Sequence, residues 1–481
     1  MPKKTLPFIV LAVILGPLAL VEVSNIENGR AIALLLSIVI LWLTELLPLP
    51  VTGLLVPVLI VFYGIFPAGD AFMPFGSDIL FLFIGCFLLA HAMQKHGWDK
   101  RMAYWILSSK YGAKSPAALI TLIGGICFVL SMWLSNTATA AMMVPICLGI
   151  IAILKEELAT EKQRRRFSTR ALLTTAFASS IGGLATPIGT PPNLIAIQFL
   201  KTNGVDISFI EWMGFGLPIA ALMFIALIVI MHFRFRLEPV DLKTVREHFD
   251  QKFRDLGPVK TGEYQVAAVF ALAVFLWIAP GLLKIALPEA AWVTTVAERL
   301  PMSGVGIGAS LILFFLPAGK RLNLDWSDAK HIDWGTILLF GGGLTLGKML
   351  SDTGLAETLG LFAFNPEWGV LALVAGAVLF GIIVSEFSSN TASAAIVIPI
   401  LLTVLAQPGF EHVSPPLVIM ACAFGASYGF MLPVSTPPNA IVYGTGKLKV
   451  HDMFTTGILF DLTGAVLIIG ATLLLNRLGI F

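Results

Sequence analysis

The sequence is dominated by apolar stretches of about 17 to 25 residues, the length that crosses a hydrocarbon core of roughly 30 Å. Short polar segments separate these stretches along the whole chain. The pattern predicts membrane spans near 6–23, 31–47, 50–66, 78–94, 116–154, 171–199, 212–233, 263–287, 303–318, 335–351, 369–406, 416–445 and 455–475. Two of them, 116–154 and 369–406, are long enough to hold two helical arms each. An all-α polytopic membrane protein is therefore expected.

The composition supports a lipid environment. Hydrophobic residues make up 57% of the 481-residue chain and charged residues only 12%, whereas a soluble domain carries about 25% charge. With a net charge of +2 and no basic block with interleaved aromatic residues, nothing indicates a nucleic-acid partner. The four cysteines lie singly inside apolar stretches and are expected to be packing residues. The histidines show no spacing typical of a metal site.

The distribution of basic residues predicts the membrane topology. Lys and Arg mark the cytoplasmic side, and they cluster in the segments 95–114, 155–170, 234–260, 320–330 and 447–449. The loops that contain neither residue are 67–77, 352–368 and 407–415. The two long segments are therefore hairpins of opposite orientation. We expect about eleven full spans plus two re-entrant hairpins, with the N-terminus cytoplasmic and the C-terminus extracytoplasmic. Leu6–Val23 resembles a signal peptide but lacks a clear cleavage site, so a retained span is expected.

The two hairpins also match each other in sequence. Cys127–Ile146 and Gly381–Ile400 are identical at nine of twenty positions, and Pro187–Ala196 and Pro433–Val442 at six of ten. Two matches in the same order, on hairpins of opposite orientation, predict an inverted repeat. Inverted repeats are typical of secondary transporters, which bind their substrate at the repeat interface.

The matching motifs consist of residues that end one helix and start another. The Ser-Asn-Thr triplets at 135–137 and 389–391 fall in the middle of their hairpins, and all three residue types cap helix N-termini or tolerate turns. The N–H groups that begin the second arm favour an anion. The carbonyl groups that end the first arm suit a hard cation such as sodium. Each hairpin tip can thus bind both kinds of ion.

The Thr-Pro-Pro motifs at 190–192 and 436–438 predict breaks in two long spans. Paired prolines cannot continue a helix but start one well, with the threonine as the cap. A purely structural interpretation remains open for each motif alone, because hydroxyls that bridge helices and proline kinks are common in membranes. Four motifs in a symmetric set favour a binding site.

The charges in these segments favour cation symport over plain anion exchange. The motif-bearing segments 116–154, 171–199, 369–406 and 416–445 contain no Lys or Arg. A bound dianion would therefore need mobile cations, because unpaired charge in a membrane is costly. Glu386 adds a negative charge beside one motif. Three roles are open for it: a neighbour of a cation site, a structural partner of Lys348, or a proton carrier.

The sequence also predicts the surroundings of Asp461 and of the segment 240–257. Asp461 lies inside an apolar span and is expected to face the helix bundle. The segment 240–257 places apolar residues at helical spacing opposite a charged face. This pattern is typical of a helix on the inner membrane surface, and equally of a soluble loop helix.

The paired motifs resemble those of the divalent anion–sodium symporter family of dicarboxylate and citrate carriers. The resemblance includes the lead-ins Ser131-Met132-Trp133-Leu134 and Ser385-Glu386-Phe387-Ser388 and spans nearly the whole chain. It implies a homodimer with an elevator motion. Residues 1–114 and 237–368 would form the scaffold, with four spans in the first part and an interfacial helix and three spans in the second. The transport domain would consist of 115–236 and 369–481.

The same resemblance implies the residues that bind the ions. The first sodium site would consist of Ser131, Ser135, Asn136 and Gly189, and the second of Ser385, Ser388, Asn390 and Ser435. Substrate carboxylates would contact Ser135, Asn136, Thr137, Thr190 and Pro191 from one repeat, and Ser389, Asn390, Thr391, Thr436 and Pro437 from the other. Thr190 occupies a position where the family often has serine.

The leading hypothesis is sodium-coupled symport of a C4-dicarboxylate such as succinate, malate or fumarate by an integral protein of the inner or plasma membrane. No enzymatic activity and no organic cofactor are expected. Sodium-independent exchange is the alternative within the family, and citrate or sulfate are alternative substrates. An anion channel is the alternative from another class of protein.

Overall fold

A computed structural model describes residues 5–24, 26, 28–109, 114–155, 157–363, 368–407, 410 and 413–478. The first half of this chain contains helices α1 (Leu6–Ser24), α2 (Gly29–Thr44), α3 (Leu49–Phe62), α4 (Ala68–Phe72), α5 (Asp78–His96), α6 (Trp98–Leu107), α7 (Pro116–Ser131), α8 (Asn136–Ile153), α9 (Glu161–Gly182), α10 (Pro191–Thr202) and α11 (Phe209–Arg234). Short 3₁₀ turns cover Met73–Gly76 and Gly183–Ala185.

The second half of the described chain also consists mainly of helices. It contains helices α12 (Lys243–Asp255), α13 (Thr261–Ala286), α14 (Ala291–Arg299), α15 (Met302–Ile312), α16 (Trp334–Asp352), α17 (Leu355–Ala363), α18 (Val370–Phe387), α19 (Asn390–Leu405), α20 (Pro415–Ala426), α21 (Pro437–Gly444) and α22 (Val450–Arg477). A 3₁₀ turn covers Asp328–His331. Strands β1 (Pro317–Ala318) and β2 (Arg321–Leu322) form a small antiparallel hairpin that pairs Pro317 with Leu322.

The fold is that of an all-α polytopic membrane protein, as the hydrophobic pattern predicts. Among the described residues, seven helices are long and apolar enough to cross a membrane. Shorter apolar helices such as α2, α3 and α15 accompany them. The span expected at 303–318 ends earlier, at Ile312, because the chain turns there into the β-hairpin. All four cysteines are buried and free, which agrees with a packing role.

Both long segments fold as helical hairpins. Residues 132–135 separate α7 from α8, and only Ser388 and Ser389 separate α18 from α19. In each hairpin the two arms pack against each other. The prediction of two arms in each long segment is confirmed.

Both proline-containing spans are broken, as predicted. The chain leaves helical geometry between α9 and α10 and between α20 and α21. Helix α9 begins at Glu161, ten residues before the predicted start at 171, because Thr160 and Gln163 form a capping box in the preceding basic loop. The basic loop and the buried span are thus one helix.

The two repeats interlock. Within each repeat the first hairpin arm packs against the first half of the broken span, in the pairs α7–α9 and α18–α20. Across the repeats, α10 packs against α19 and α21 packs against α8. Each hairpin therefore contacts broken spans of both repeats, which brings the four motifs into one region.

The remaining long helices form close pairs through glycine. Helix α3 packs against α16, where a Cβ at Gly53 would lie 2.8 Å from the Leu338 carbonyl oxygen. Helix α5 packs against α15, where a Cβ at Gly85 would lie 2.6 Å from the Gly306 carbonyl oxygen. Helix α16 also contacts the second hairpin, through Gly343 against Ala395 of α19. Close backbone contact thus replaces side-chain packing at these crossings.

The helix expected within 240–257 is present as α12, with Val245 and Phe249 buried. Its apolar side contacts α6 and α8, and the rings of Tyr104 and Phe249 lie 6.0 Å apart. Helices α4, α6, α14 and α17 lie where the sequence predicts only loops, and the β-hairpin begins in the last residues of the span expected at 303–318. Their short or charged sequences produce no long apolar stretch.

Candidate functional site

The Ser-Asn-Thr triplets start the second arms of the hairpins. The Ser135 Oγ accepts a hydrogen bond from the Ala138 backbone N–H at 3.2 Å, and the Ser389 Oγ accepts one from Ala392 at 3.1 Å. Serine is therefore the cap residue in both repeats, as the motif predicts. Helices α8 and α19 both begin at a hairpin tip, where their free N–H groups favour an anion.

The asparagine of each triplet is held to the end of the first arm. The Ser131 hydroxyl donates to the Asn136 Oδ1 at 2.6 Å. In the second repeat the Ser385 Oγ lies 2.8 Å from the Asn390 Oδ1. The Asn390 Nδ2 also donates to the Ser427 carbonyl oxygen at 3.2 Å, which links the hairpin tip to the broken span.

A second pair of asparagines braces the breaks. The Asn193 Nδ2 donates to the carbonyl oxygens of Gly183 at 2.9 Å and Thr186 at 2.8 Å. The Asn439 Nδ2 makes the same two bonds in the other repeat, to Gly429 at 2.9 Å and Leu432 at 3.0 Å. Both asparagines are completely buried. Asparagine recurs at this position of both motifs, which is the sequence signal for this bracing role, but the role itself was not predicted.

The two threonine caps differ. The Thr436 Oγ1 accepts from the Asn439 backbone N–H at 3.4 Å. Thr190 occupies the cap position of α10 but makes no side-chain cap hydrogen bond. The prediction of a threonine cap thus holds in full only for the second repeat, and Pro191 starts α10 without that bond.

The residues expected to bind the first sodium ion lie together. A Cβ at Gly183 would lie 2.4 Å from the Asn136 Oδ1 and 3.1 Å from the Gly189 carbonyl oxygen. Asn136 in turn accepts from Ser131 and directly follows the cap residue Ser135. Gly183 is therefore one of the points at which the hairpin tip and the broken span meet.

The residues expected to bind the second sodium ion are arranged similarly around Gly429. A Cβ there would lie 3.0 Å from the Ser435 Cβ and 3.5 Å from the Asn390 Oδ1. Ser385 contacts Asn390, and the buried Ser388 Oγ has no hydrogen-bond partner among the described residues. An unpartnered buried hydroxyl at this position is available to a ligand.

The expected substrate residues differ in exposure. Thr137 and Pro437 are exposed, and the partly exposed members are Ser135, Asn136, Pro191, Ser389 and Asn390. Thr190, Thr391 and Thr436 are buried. The exposed members border the tips, so an anion can approach the helix N-termini.

Glu386 does not pair with Lys348, so that interpretation of its role is wrong. Lys348 forms an ion pair with Asp352 on its own helix. The Glu386 carboxylate instead accepts from the backbone N–H groups of Phe430 at 2.7 Å and Met431 at 3.0 Å. Its other oxygen accepts from the Ser435 hydroxyl at 2.7 Å. Glu386 thus ties the second hairpin to the second break.

The structure also brings together His91, Asp328 and His331, although the sequence predicts no histidine ligand set. Their donor atoms lie within 4.8 Å of one another. The Asp328 carboxylate is already bonded to Lys95 at 2.7 Å and to the Asp325 backbone N–H at 2.8 Å. A spacing of more than two hundred residues between His91 and Asp328 hid the cluster.

Comparison with known proteins identifies similar chains. The family described as "Sodium:sulfate symporter transmembrane region" matches residues 3–479. A sodium-dependent dicarboxylate transporter from Staphylococcus saprophyticus is 34% identical over 479 residues, which cover 95% of this chain and 89% of that protein. A Staphylococcus aureus (strain USA300) protein of the same description is 34% identical over 490 residues, covering 97% and 92%.

A solved structure supports the fold. The Neisseria gonorrhoeae protein MtrF, described with a class of antimetabolite efflux pumps, superimposes with a TM-score of 0.54 at 12% sequence identity. The match covers 84% of this chain and 81% of that chain. At this identity the similarity concerns the fold alone.

Proposed function

We propose that this chain, which belongs to the sodium:sulfate symporter transmembrane family of divalent anion–sodium symporters, carries C4-dicarboxylates together with sodium ions. As a member of that family it is a membrane transporter and not an enzyme. The observation that carries this proposal is the pair of interlocked hairpins and broken spans. Each repeat provides a helix N-terminus, an asparagine and a hydroxyl-rich break. Two equivalent half-sites suit a substrate with two carboxylates.

The charge of the region supports symport. The described residues of both hairpins and of α10, α20 and α21 include one Lys, Lys201, at the far end of α10, and no Arg. A dianion bound between the tips therefore needs mobile cations to balance it. Sodium ions held by the Ser131–Asn136 and Ser385–Asn390 regions would supply that charge. The relatives described as sodium-dependent dicarboxylate transporters support the same choice of cation and substrate.

The test is uptake of radiolabelled succinate into proteoliposomes, with an inward sodium gradient against an equal potassium gradient. We expect uptake that depends on sodium and is competed by malate and fumarate. Equal uptake in both salts would contradict sodium coupling and favour exchange, which preloading with substrate would then reveal. Uptake of citrate or sulfate but not of succinate would mean that the proposed substrate is wrong and that the protein transports a different anion.

For the mechanism, we propose that the two hairpins, the broken spans, α11 and α22 move as a transport domain within residues 115–236 and 369–481. Residues 1–114 and 237–368 would form a scaffold and the contact of a homodimer. The interlocking of the two repeats supports a common motion of these elements. The N-terminus would be cytoplasmic and the C-terminus extracytoplasmic.

Among the described residues, one ion pair joins the proposed scaffold to the proposed transport domain. The Lys201 Nζ lies 2.9 Å from an Asp78 Oδ2 at the start of α5, which also accepts from Ser303. Beside it lies a cavity of about 250 Å³ lined by residues of both parts, including Phe209 and Trp277. A sliding motion would separate Asp78 from Lys201.

We therefore expect a cross-link at this point to stop transport. In the double variant Asp78→Cys with Lys201→Cys, a short bis-methanethiosulfonate reagent should form a disulfide with each cysteine and reduce succinate uptake to background, and a thiol reducing agent should cleave the disulfides and restore it. Each single-cysteine variant is the control, and the wild type should be unaffected because its four cysteines are buried. Full uptake by a fully cross-linked protein would contradict relative motion of the two parts.

A further inference from the structure

A pair of acidic residues is buried behind the second hairpin. Glu386 on α18 is 0% exposed and Asp461 on α22 is 4% exposed. Helices α18 and α22 pack against each other, and the Asp461 carboxyl group is close enough to the Glu386 carboxyl group to interact with it. The completely buried Tyr428, which follows α20, packs against α22 on either side of Asp461 in the sequence: its ring stacks on Phe460 at 5.9 Å, and a Cβ at Gly464 would lie 2.3 Å from its hydroxyl oxygen. Three oxygen-bearing side chains from three elements are thus brought to one region.

The members of this cluster differ in how many hydrogen bonds their oxygen atoms form. The Glu386 carboxylate accepts three hydrogen bonds, from Phe430, Met431 and Ser435. Both carboxyl oxygens of Asp461 and the Tyr428 hydroxyl have no hydrogen-bond partner among the described residues. A buried carboxylate without donors, next to a second carboxylate, is strongly destabilising. The pair therefore requires a positive charge that no side chain supplies.

The neighbouring elements offer no such charge. Helix α22 packs against α11, α18 and α20, and Phe460 on it contacts Phe177 of α9. The other ionisable side chains of these elements are Glu161, Lys162, Arg164, Arg165, Arg166 and Arg170 on α9, Glu211, His232 and Arg234 on α11, Cys422 on α20, and His451, Asp452 and Arg477 on α22. Arg234 donates to Thr456 at 2.9 Å, and Arg170 donates to the Phe235 carbonyl oxygen at 3.3 Å. Among the described residues, neither guanidinium group is bonded to Glu386 or Asp461, although the Arg170 Nε has no partner.

Two glycine contacts show which residues of the first repeat are equivalent to this cluster. A Cβ at Gly216 of α11 would lie 2.6 Å from the Leu184 carbonyl oxygen. A Cβ at Gly457 of α22 would lie 2.2 Å from the Phe430 carbonyl oxygen. Leu184 and Phe430 occupy equivalent positions of the two breaks, so these contacts align α11 with α22.

In this alignment the first repeat lacks the acidic pair. The residues equivalent to Glu386, Tyr428 and Asp461 are Met132, Gly182 and Ala220. The first repeat builds the same break without any ionisable group, so the fold does not require the cluster. Because only one of the two otherwise symmetric half-sites carries this acidic cluster, the cluster indicates a site that binds a cation.

We propose that Glu386, Asp461 and Tyr428 form a third cation site, which binds one monovalent cation, a sodium ion or a proton. This inference rests on the proposed function, and it adds to the two expected sodium sites. Two sodium ions balance a dianion, so a third cation makes each transport cycle carry one net positive charge. The Ser435–Glu386 hydrogen bond would connect the third site to the second sodium site.

The first test measures how strongly the membrane potential drives accumulation of fumarate in proteoliposomes. For one net charge, an inside-negative potential of about 100 mV raises the equilibrium accumulation ratio about 50-fold. We expect this response in the wild type and its loss in Asp461→Asn, whose amide can donate to Glu386 in place of the cation. An unchanged response in Asp461→Asn would overturn the proposal.

Varying the two ion gradients separately identifies the cation. With a sodium ion at the third site, the accumulation ratio should follow the third power of the sodium gradient. With a proton, it should follow the second power of the sodium gradient and the first power of the pH gradient. Fumarate is the substrate of choice because both carboxylates stay ionised at neutral and mildly alkaline pH.

A readout without transport separates failure of this site from failure of the proposed function. The melting temperature of the purified protein is measured in sodium against choline chloride, and across pH. We expect part of the cation dependence to disappear in Asp461→Asn and to shift to several-fold higher concentration in Tyr428→Phe. Glu45→Gln, which removes an exposed acid, is the control and should match the wild type. Identical profiles for wild type, Asp461→Asn and Tyr428→Phe would overturn the proposal even where uptake is sodium-coupled.

Discussion

Asn136→Ala and Asn390→Ala are each expected to abolish sodium-dependent succinate uptake. Each asparagine accepts from a serine at or near the end of the first hairpin arm, Ser131 or Ser385. Its removal would delete an expected ligand of both sodium and substrate, and in the first repeat it would also leave the buried Ser131 without its partner. At about 1–3 kcal/mol for each of two lost contacts, the loss amounts to about 2–6 kcal/mol. Uptake at low substrate should then fall roughly 30-fold or more, since 1.4 kcal/mol is a factor of about ten.

The matched control is Asn203→Ala. Asn203 follows α10 and donates to the Phe199 carbonyl oxygen at 2.8 Å, away from both hairpin tips. This variant should retain most of its uptake, and all three proteins should reach the membrane in similar amounts. Sodium-dependent uptake in Asn136→Ala close to that of Asn203→Ala would contradict the assigned site.

Gly183→Ala is expected to impair the first sodium site without changing any functional group. The backbone at Gly183 is in the right-handed helical region, with φ −59°, so alanine is conformationally acceptable. The added Cβ would nevertheless lie 2.4 Å from the Asn136 Oδ1, which must move away. Overpacking of this kind costs about 1–3 kcal/mol. We expect the sodium concentration for half-maximal uptake to rise roughly 5- to 100-fold.

Gly125→Ala on α7 is the control, because a Cβ there meets no atom within 4 Å. It should retain the sodium dependence of the wild type. A normal sodium dependence in Gly183→Ala would mean that the contact between Asn136 and the break does not shape a cation site. A drop in maximal uptake with unchanged half-saturation would point instead to a general packing defect.

The local signals in the sequence sufficed for most of the secondary structure. Apolar length located the spans, and the hairpin breaks at 132–135 and 388–389 follow from residues that cap helices. The prolines at 191–192 and 437–438 fixed the starts of α10 and α21. These signals act over a few residues, which is why they are legible without a structure. Some boundaries moved because the signal lay outside the apolar stretch, as at the capping box before α9, or because the chain turned within the stretch, as after Ile312.

The candidate site could be inferred in part for the same reason. The repeated Ser-Asn-Thr and Thr-Pro-Pro motifs indicate where helices end, so they show which N–H groups are free. The bracing role of Asn193 and Asn439 was visible as a repeated residue but not as a contact. The missing cap bond at Thr190 could not be foreseen, because a side-chain rotamer depends on its surroundings.

The sequence alone therefore determined the class of protein, the internal repeat and the motifs that interrupt its helices. Only the tertiary structure decided that α10 packs against α19 and α21 against α8, and that Glu386 bonds to Ser435 and not to Lys348. It also placed Asp461 beside Glu386, although the two residues lie on separate helices. Apolar length, caps and prolines act on neighbouring residues, whereas partners far apart in the chain are selected by packing, which no local pattern encodes.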